Sequence, residues 1–245
     1  VLMPLFSFSQ YWEFGVMGGF SNYMGDLCPA PLQLNETHGA SGLIIRYNFT
    51  NFFTLKANGY LGTISGSDAN ATDVLKKTRN LSFVSPMVDV GINGEWNFTG
   101  FKANRKKLRT SPYGFTGFSY YHFNPKANLN GEMIPLQPLG TEGQGTTRYN
   151  EKEKYNLSEI SVPFGLGLKH NFAHFMGIGL EMGLRKTFTD YLDDVSGTYA
   201  EADLLLREKG SNSAKLSNRT NPYNPDLGPN DYRGNPKTKD WYMFG

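Results

Sequence analysis

Ile160-Ser161-Val162-Pro163-Phe164-Gly165-Leu166-Gly167-Leu168-Lys169 alternates strictly between large apolar residues and serine, proline, glycine or charge. After a break through His170-Asn171-Phe172-Ala173-His174, the alternation resumes in Met176-Gly177-Ile178-Gly179-Leu180-Glu181-Met182-Gly183-Leu184-Arg185. A period of two sorts side chains onto opposite faces of a strand, and two such runs with a tight connection predict a β-hairpin. One face is wholly aliphatic or aromatic; the other is glycine with Lys169, Glu181 and Arg185. Glycine weakens an exposed strand and packs nothing. Glycines mixed with opposite charges suit the inside of a narrow closed barrel, which leaves the apolar face to look outward into lipid.

The bulk composition is compatible with that reading. The chain has 245 residues, 39% hydrophobic and 14% aromatic, with 28 Gly, 14 Tyr and 18 Phe. A net charge of +2 is too small to point to nucleic acid. The mean hydropathy of -0.45 and the lack of any apolar run of about 18 residues exclude a transmembrane helix, but barrel strands carry only a weak hydropathy signal. The single cysteine, Cys28, excludes an internal disulfide. No Cys/His spacing suggests a metal site, and no cofactor is expected. Residues 1–9 read as the end of a signal peptide, with Ser7 and Ser9 as a small-x-small cleavage site, and residues 10–245 as the barrel.

In chain order, strands are predicted at residues 11–20, 40–49, 53–64, 81–98 and 113–123, then in the hairpin at 160–168 and 176–184. An eighth begins at Trp241 and is cut short at Gly245. The strand at 113–123 is aromatic on both faces and cannot be oriented. Long loops fall at about 65–80, 124–156 and 191–240, with one helical turn near 73–77 and a short helix over 199–209 capped by Gly210. Connections alternate long and short, as in outer-membrane barrels with short periplasmic turns and long external loops. The inward charges are Glu13, Arg46, Lys56, Asp89, Glu95, Lys169, Glu181 and Arg185, four acids and four bases. Buried charges must pair, and an eight-stranded barrel has room for little beyond side chains. The fold class is therefore all-β: an eight-stranded antiparallel transmembrane β-barrel with a plugged lumen. Pro163 should leave a bulge or a missing ladder bond.

Several segments together resemble a known family. They are Tyr11-Trp12-Glu13-Phe14-Gly15 with Asn22-Tyr23-Met24-Gly25-Asp26-Leu27; Arg79-Asn80-Leu81-Ser82-Phe83; Phe123-Asn124-Pro125-Lys126-Ala127; and Leu136-Gln137-Pro138-Leu139-Gly140-Thr141-Glu142-Gly143-Gln144-Gly145. Further along come Val162 to Gly167, Arg185 to Ser196, Arg233-Gly234-Asn235-Pro236-Lys237 and Asp240-Trp241-Tyr242. Nearly the whole chain resembles the PorG-like outer-membrane barrels of the type IX secretion system of Bacteroidota. The resemblance implies a barrel in the outer membrane of a Gram-negative bacterium and association with the periplasmic ring lipoprotein and its partner. It also implies a non-enzymatic role in protein secretion, anchoring or positioning that ring.

Other residues offer candidate sites. Cys28, a lone thiol in an exported chain, is a candidate for an intermolecular disulfide or a small apolar strand-end residue. Lys102, Arg105, Lys106, Lys107 and Arg109 form a basic turn, either a periplasmic contact or a solvated connection. Asp190, Asp193 and Asp194 lack EF-hand spacing and read as a solvated loop end. His122 has no nucleophile or acid at a catalytic spacing, and residues 139–145 lack the ending of a phosphate-binding loop. The Asn-x-Ser/Thr triplets include Asn48 and Asn97 on inward faces, where a glycan has no room. Rival readings are a lipocalin-like soluble barrel, an outer-membrane hydrolase, a passive channel, and a small barrel whose loops serve adhesion or ligand binding. Outer-membrane lipid is the remaining expected partner; no nucleic acid or small-molecule substrate is expected.

Overall fold

In the computed structural model, residues 3–7, 11–28, 33–102, 109–173 and 176–245 are described. The strands are β1 (Met3–Ser7), β2 (Trp12–Met24), β3 (His38–Asn48), β4 (Phe53–Ser67), β5 (Ser82–Asn97), β6 (Thr110–Phe123), β7 (Lys126–Leu129), β8 (Glu132–Pro135), β9 (Ser158–Asn171), β10 (Met176–Thr187) and β11 (Trp241–Phe244). Among the described residues, antiparallel pairing runs β2-β3-β4-β5-β6-β9-β10 and returns to β2 through an eighth position. The result is a closed eight-stranded antiparallel β-barrel of the outer-membrane type.

Two short segments share the eighth position. Trp241–Phe244 pairs with residues 183–186 of β10 and 21–24 of β2, and Gly245 exchanges backbone bonds of 2.7 and 2.9 Å with Phe20. Below it, β1 pairs with residues 176–179 of β10 and 13–15 of β2. The stretch expected to be the end of a signal peptide thus pairs as a barrel strand over Met3–Ser7, and Ser9 lies outside the described residues. The final strand is short, as its sequence suggests, and the ring nevertheless closes.

The alternation of β5 shows why these residues make a barrel. Val84, Pro86, Val88, Val90, Ile92 and Trp96 face out; Phe83, Ser85, Met87, Asp89, Asn93, Glu95 and Asn97 are buried. From Val84 to Trp96 the outward face is apolar over ~40 Å of strand at ~3.3 Å per residue. At a tilt of about 40° that spans roughly 30 Å along the barrel axis, the height of a bilayer core. Below it lies a belt of ring contacts, Trp12 with Tyr47 (4.8 Å), Tyr47 with Phe49 (4.8 Å) and Phe52 with Trp96 (6.4 Å). Higher on the outer wall Phe164 packs edge-on against Trp241 at 5.8 Å.

The barrel also orients β6. Tyr113, Phe115, Tyr121 and Phe123 point inward, while Phe118 and Tyr120 point outward. At Pro163 the β6–β9 ladder is interrupted. It runs from Thr110↔His170 to Thr116↔Phe164 and resumes at Ser119↔Ser161 in the same register, so no bulge forms. The other edge of Pro163 stays paired with Arg185, and the Thr116 hydroxyl donates to its carbonyl at 3.1 Å. The missing amide hydrogen is placed where the ladder is broken.

The long loop expected over 124–156 contains the β7–β8 hairpin. Its turn is Asn130-Gly131, with φ of 56° and 91°, the left-handed pair that a two-residue hairpin turn requires. Three short helices follow the same pattern of loop order: α1 (Val74–Arg79), α2 (Ala202–Glu208) and α3 (Ser211–Ser217). The first two match the expected helical stretches; α3 has no counterpart in the sequence reading.

Ile92 is 60% exposed at the middle of the outward face. Ile92→Arg should lower stability by roughly 2–4 kcal/mol in phospholipid vesicles, measured by denaturant unfolding. An unchanged midpoint would mean that this face does not meet lipid.

Candidate functional site: a sealed lumen under an interlocked loop cap

All eight predicted inward charges are buried: Glu13, Arg46, Lys56, Asp89, Glu95, Lys169, Glu181 and Arg185 are each 8% exposed or less. Five of them form one cluster. Arg46 donates to Glu95 at 2.7 Å, and Lys169 donates to the other oxygen of Glu95 at 3.1 Å. Glu181 receives Lys56 at 2.7 and 2.8 Å and Arg46 at 3.4 Å. Lys56 and Glu181 sit on β4 and β10, four places apart in a ring of eight, so this pair spans the lumen. Arg46 and Lys56 are direct cross-strand neighbours, a repulsive pairing unless carboxylates lie between them. Glu95 and Glu181 supply those carboxylates.

Aromatic rings close the cluster. The Tyr113 hydroxyl donates to Glu181 at 2.7 Å, and the Lys56 ammonium lies 3.8 Å from the Phe115 ring centre. A Cβ on Gly167 would fall 2.3 Å from the Tyr113 ring, and one on Gly183 would fall 2.7 Å from Phe115. The inward glycines of the hairpin are therefore where these rings lie. Arg185 and Asp89 form a second group nearer the loops, 3.9 Å apart, with Tyr242 donating to Asp89 at 2.7 Å. Glu13 stands outside both ion-pair groups and accepts from Asn48 at 2.7 Å. Asn97 is fully buried in the lumen and Asn48 is bonded to Glu13, so neither has room for a glycan.

The long loops fold into a cap. Arg233 is its first hub. It donates to the Asp194 carbonyl, to the Ser217 carbonyl at 3.2 Å and to Glu142 at 3.4 Å. Glu142 accepts the backbone amides of Ser196 and Gly197, both at 2.9 Å. Asp194 accepts from Thr141 at 2.5 Å and Tyr155 at 2.8 Å. Arg79, the last residue of α1, is the second hub. It grips Asp68 through two bonds of 2.8 and 2.7 Å and donates to the carbonyls of Arg233 and Asp26. The third is the Tyr23 hydroxyl, 2.7 Å from Asp193 and 2.9 Å from Asp240. One hydroxyl proton cannot serve both acceptors at once, so the two carboxyls compete for it. Residues from the segments 22–27, 79–83, 136–145, 185–196, 233–237 and 240–242 thus meet in one network, although Tyr23 and Asp240 lie 217 residues apart in the chain.

That network corrects one expectation. Asp190, Asp193 and Asp194 are not a solvated loop end: they are 2%, 1% and 0% exposed. Their partners, Ser196, Tyr23 and Arg233, lie in other turns or elements, which local spacing does not reveal. Among the described residues no group of His, Cys, Asp and Glu is arranged to hold a metal. Burial pushes Asp194 up to about 6 against the pull of Arg233, and pushes Asp190 up to about 6. Burial also raises Asp193 and Asp240, helped by the charge of Asp26 on the former and of Asp193 on the latter.

The remaining candidates lie apart. Cys28 is 6% exposed within the apolar cluster, so a bridge to another chain would require its turn to open. That burial argues against the intermolecular disulfide. Lys102 and Arg109 are half-buried at the short-turn end, while Arg105, Lys106 and Lys107 lie outside the described residues. His122 is exposed on the outer face and meets Ser158 at 2.8 Å.

Two tests follow from these networks. Glu95→Gln leaves Lys169 without a carboxylate and weakens the hold on Arg46; such a loss costs roughly 3–5 kcal/mol. Denaturant unfolding of the refolded barrel should show it, with much of the loss recovered in Glu95→Gln combined with Lys169→Met. For the cap, carboxyl pKa values raised in the folded state mean that it binds more protons than the unfolded chain between about 6 and about 4. Cap stability should therefore rise as pH falls through about 6. Hydrogen exchange at the amides of Leu192, Val195, Ser196 and Gly197, corrected for intrinsic rate, should be slower at low pH; slower exchange at high pH would refute this.

No curated protein matches the chain. Among solved structures it is similar to Ail, the attachment invasion locus protein of Yersinia pestis, determined in complex with the heparin analogue sucrose octasulfate. The identity is 13%, over 75% of this chain and 86% of that one, with a TM-score of 0.37. Residues 1–137, more than half of the chain, match the family model described as a domain of unknown function, and the chain belongs to that family, DUF6089.

Proposed function

We propose that this protein is a non-enzymatic barrel of the outer membrane of a Gram-negative bacterium. In this reading it is a structural component of the type IX protein secretion machinery and anchors or positions the periplasmic ring lipoprotein complex. The observation that carries the proposal is the convergence of the resemblance-bearing segments. Asn22 to Leu27, Arg79 to Phe83, Leu136 to Gly145, Arg185 to Ser196 and Arg233 to Lys237 all contribute to the cap network or to the strand ends beneath it. The filled lumen supports a scaffold rather than a conduit, because the Lys56–Glu181 pair crosses it and Tyr113 and Phe115 cover that pair. A second reading, ligand binding or adhesion through the loops, is favoured by a cleft in the cap.

Two measurements test the scaffold reading. The barrel in planar bilayers should show no steady conductance; a stable open channel would overturn it. In the native host, affinity purification of the tagged barrel should recover the ring lipoprotein, and deletion of the gene should abolish secretion of type IX cargo. Intact secretion with no ring protein recovered would reject the secretion role and leave the second reading.

A further inference from the structure

The outer wall has a groove of about 420 Å³ across β5, β6 and β9, at the short-turn edge of the apolar band. Gly94 and Gly114 form its floor, Trp96 and Phe98 line one side, and Phe164 and Leu166 line the other. Trp96 pairs with Gly114 and Gly114 with Leu166, so the groove crosses three strands at one level. A Cβ on Gly114 would lie 3.3 Å from the Phe98 ring and 3.7 Å from Leu166, so a larger side chain there would fill the groove. Trp96, Phe98 and Leu166 are 56%, 54% and 66% exposed. A concave apolar surface at the depth of the hydrocarbon core fits an acyl chain.

Toward the short turns the outward residues change character. Pro112 and Leu168 form the next outward pair, then Thr110 and His170. The Thr110 hydroxyl and His170 Nδ1 are 2.6 Å apart, and both residues are exposed. Arg109 comes next, its carbonyl accepting the Asn171 amide at 2.8 Å. From Gly114 to Arg109 is ~16 Å of strand, or roughly 12 Å along the barrel axis at a tilt of about 40°. One leaflet of hydrocarbon is about 15 Å deep, so a chain in the groove brings its phosphate to the level of His170 and Arg109.

The charge at this end has one sign. Residues 48–53, 96–131 and 170–176, which include the short turns, contain no Asp or Glu. The connection after β5 carries Lys102, Arg105, Lys106, Lys107 and Arg109. Glu13, Glu95 and Glu181 are buried inside the barrel and bonded there. Among the described residues neither Lys102 nor Arg109 forms an ion pair, and the Arg109 Nε is shielded from water without a hydrogen-bond partner.

We propose that this groove seats an anionic glycerophospholipid, with one acyl chain over Gly114 and the phosphate against Arg109. Thr110 and His170 lie beside the ester groups between them. Short turns of an outer-membrane barrel face the periplasm, which puts this lipid in the inner leaflet. The inference rests on the reading of the wall as membrane-facing and is independent of the secretion role.

Trp96 reports on the seat directly. The test uses the full chain with Trp12→Phe and Trp241→Phe, refolded into vesicles that mix phosphatidylcholine and phosphatidylglycerol. One lipid at a time carries bromine on its acyl chains, which quenches tryptophan on contact. Both brominated lipids should quench Trp96. Phosphatidylglycerol should be preferred about fivefold, the order of effect of one basic residue beside a membrane surface. Arg109→Gln should bring the two lipids near equality by removing the charge, and Gly114→Leu by filling the groove. Heat-modifiable gel mobility confirms that each barrel is folded. Equal quenching in the parent would overturn the proposal and leave the basic turn to an acidic protein surface. A preference that survives in folded Gly114→Leu would overturn it in favour of diffuse attraction to the basic end. No quenching by either lipid would overturn it together with the membrane reading.

Discussion

The structure depends on one constraint: eight strands enclose a space too narrow for water to solvate charge, yet eight charged side chains point into it. Lys56 and Arg46 would repel each other across neighbouring strands if Glu181 did not reach from the opposite wall to hold both. Glu95 repeats the arrangement with Arg46 and Lys169. Once those ties exist, the rings of Tyr113 and Phe115 must lie over them, and the positions they cover on β9 and β10 must lack side chains. The glycine-and-charge face of the hairpin is the consequence. Its glycines make room for the aromatic lid over its own charge, and the cost of desolvation is offset by ion pairs to Glu95, Lys56 and Asp89.

Periodicity carried most of the wall because the wall is a repeating object. A strand with lipid on one side and lumen on the other writes its orientation into every second residue, and from Val88 to Asn97 the polar residues Asp89, Asn93, Glu95 and Asn97 all fall on the buried face. Where that contrast vanishes, orientation is not written in the sequence. Residues 113–123 have aromatics on both faces, since the lumen itself needs aromatic covers at Tyr113 and Phe115, and hydrophobicity alone cannot separate a lid from a lipid anchor. The β7–β8 hairpin is legible in Asn130-Gly131, a two-residue turn signal inside a stretch that otherwise lacks a strand period.

The cap was hidden for a different reason. Its loops have no period, and their order comes from single long-range contacts: Arg233 with Glu142 across 91 residues, Tyr23 with Asp240 across 217. An aspartate cluster followed by a polar loop looks solvated unless the distant arginine and tyrosine are known to lie against it. Several segments quoted for the resemblance fall at these places, Arg79, Glu142, Asp194 and Arg233 among them. Composition could not say whether they were bound together or separately exposed.

Lumen and cap are joined through a few residues at the end of the chain. Asp240 accepts the Leu192 amide and faces Tyr23, and two residues later Tyr242 donates to Asp89 and meets Ser161 at 3.0 Å. Trp241 between them turns outward against Phe164. One short strand therefore contacts the cap, the lumen and the outer wall in succession. With the lumen filled and the cap's acids and arginines bonded to each other, the interior has little left with which to recognise anything. Recognition must use groups that the loop end presents at its surface, where Val74, Leu75 and Tyr232 stay exposed.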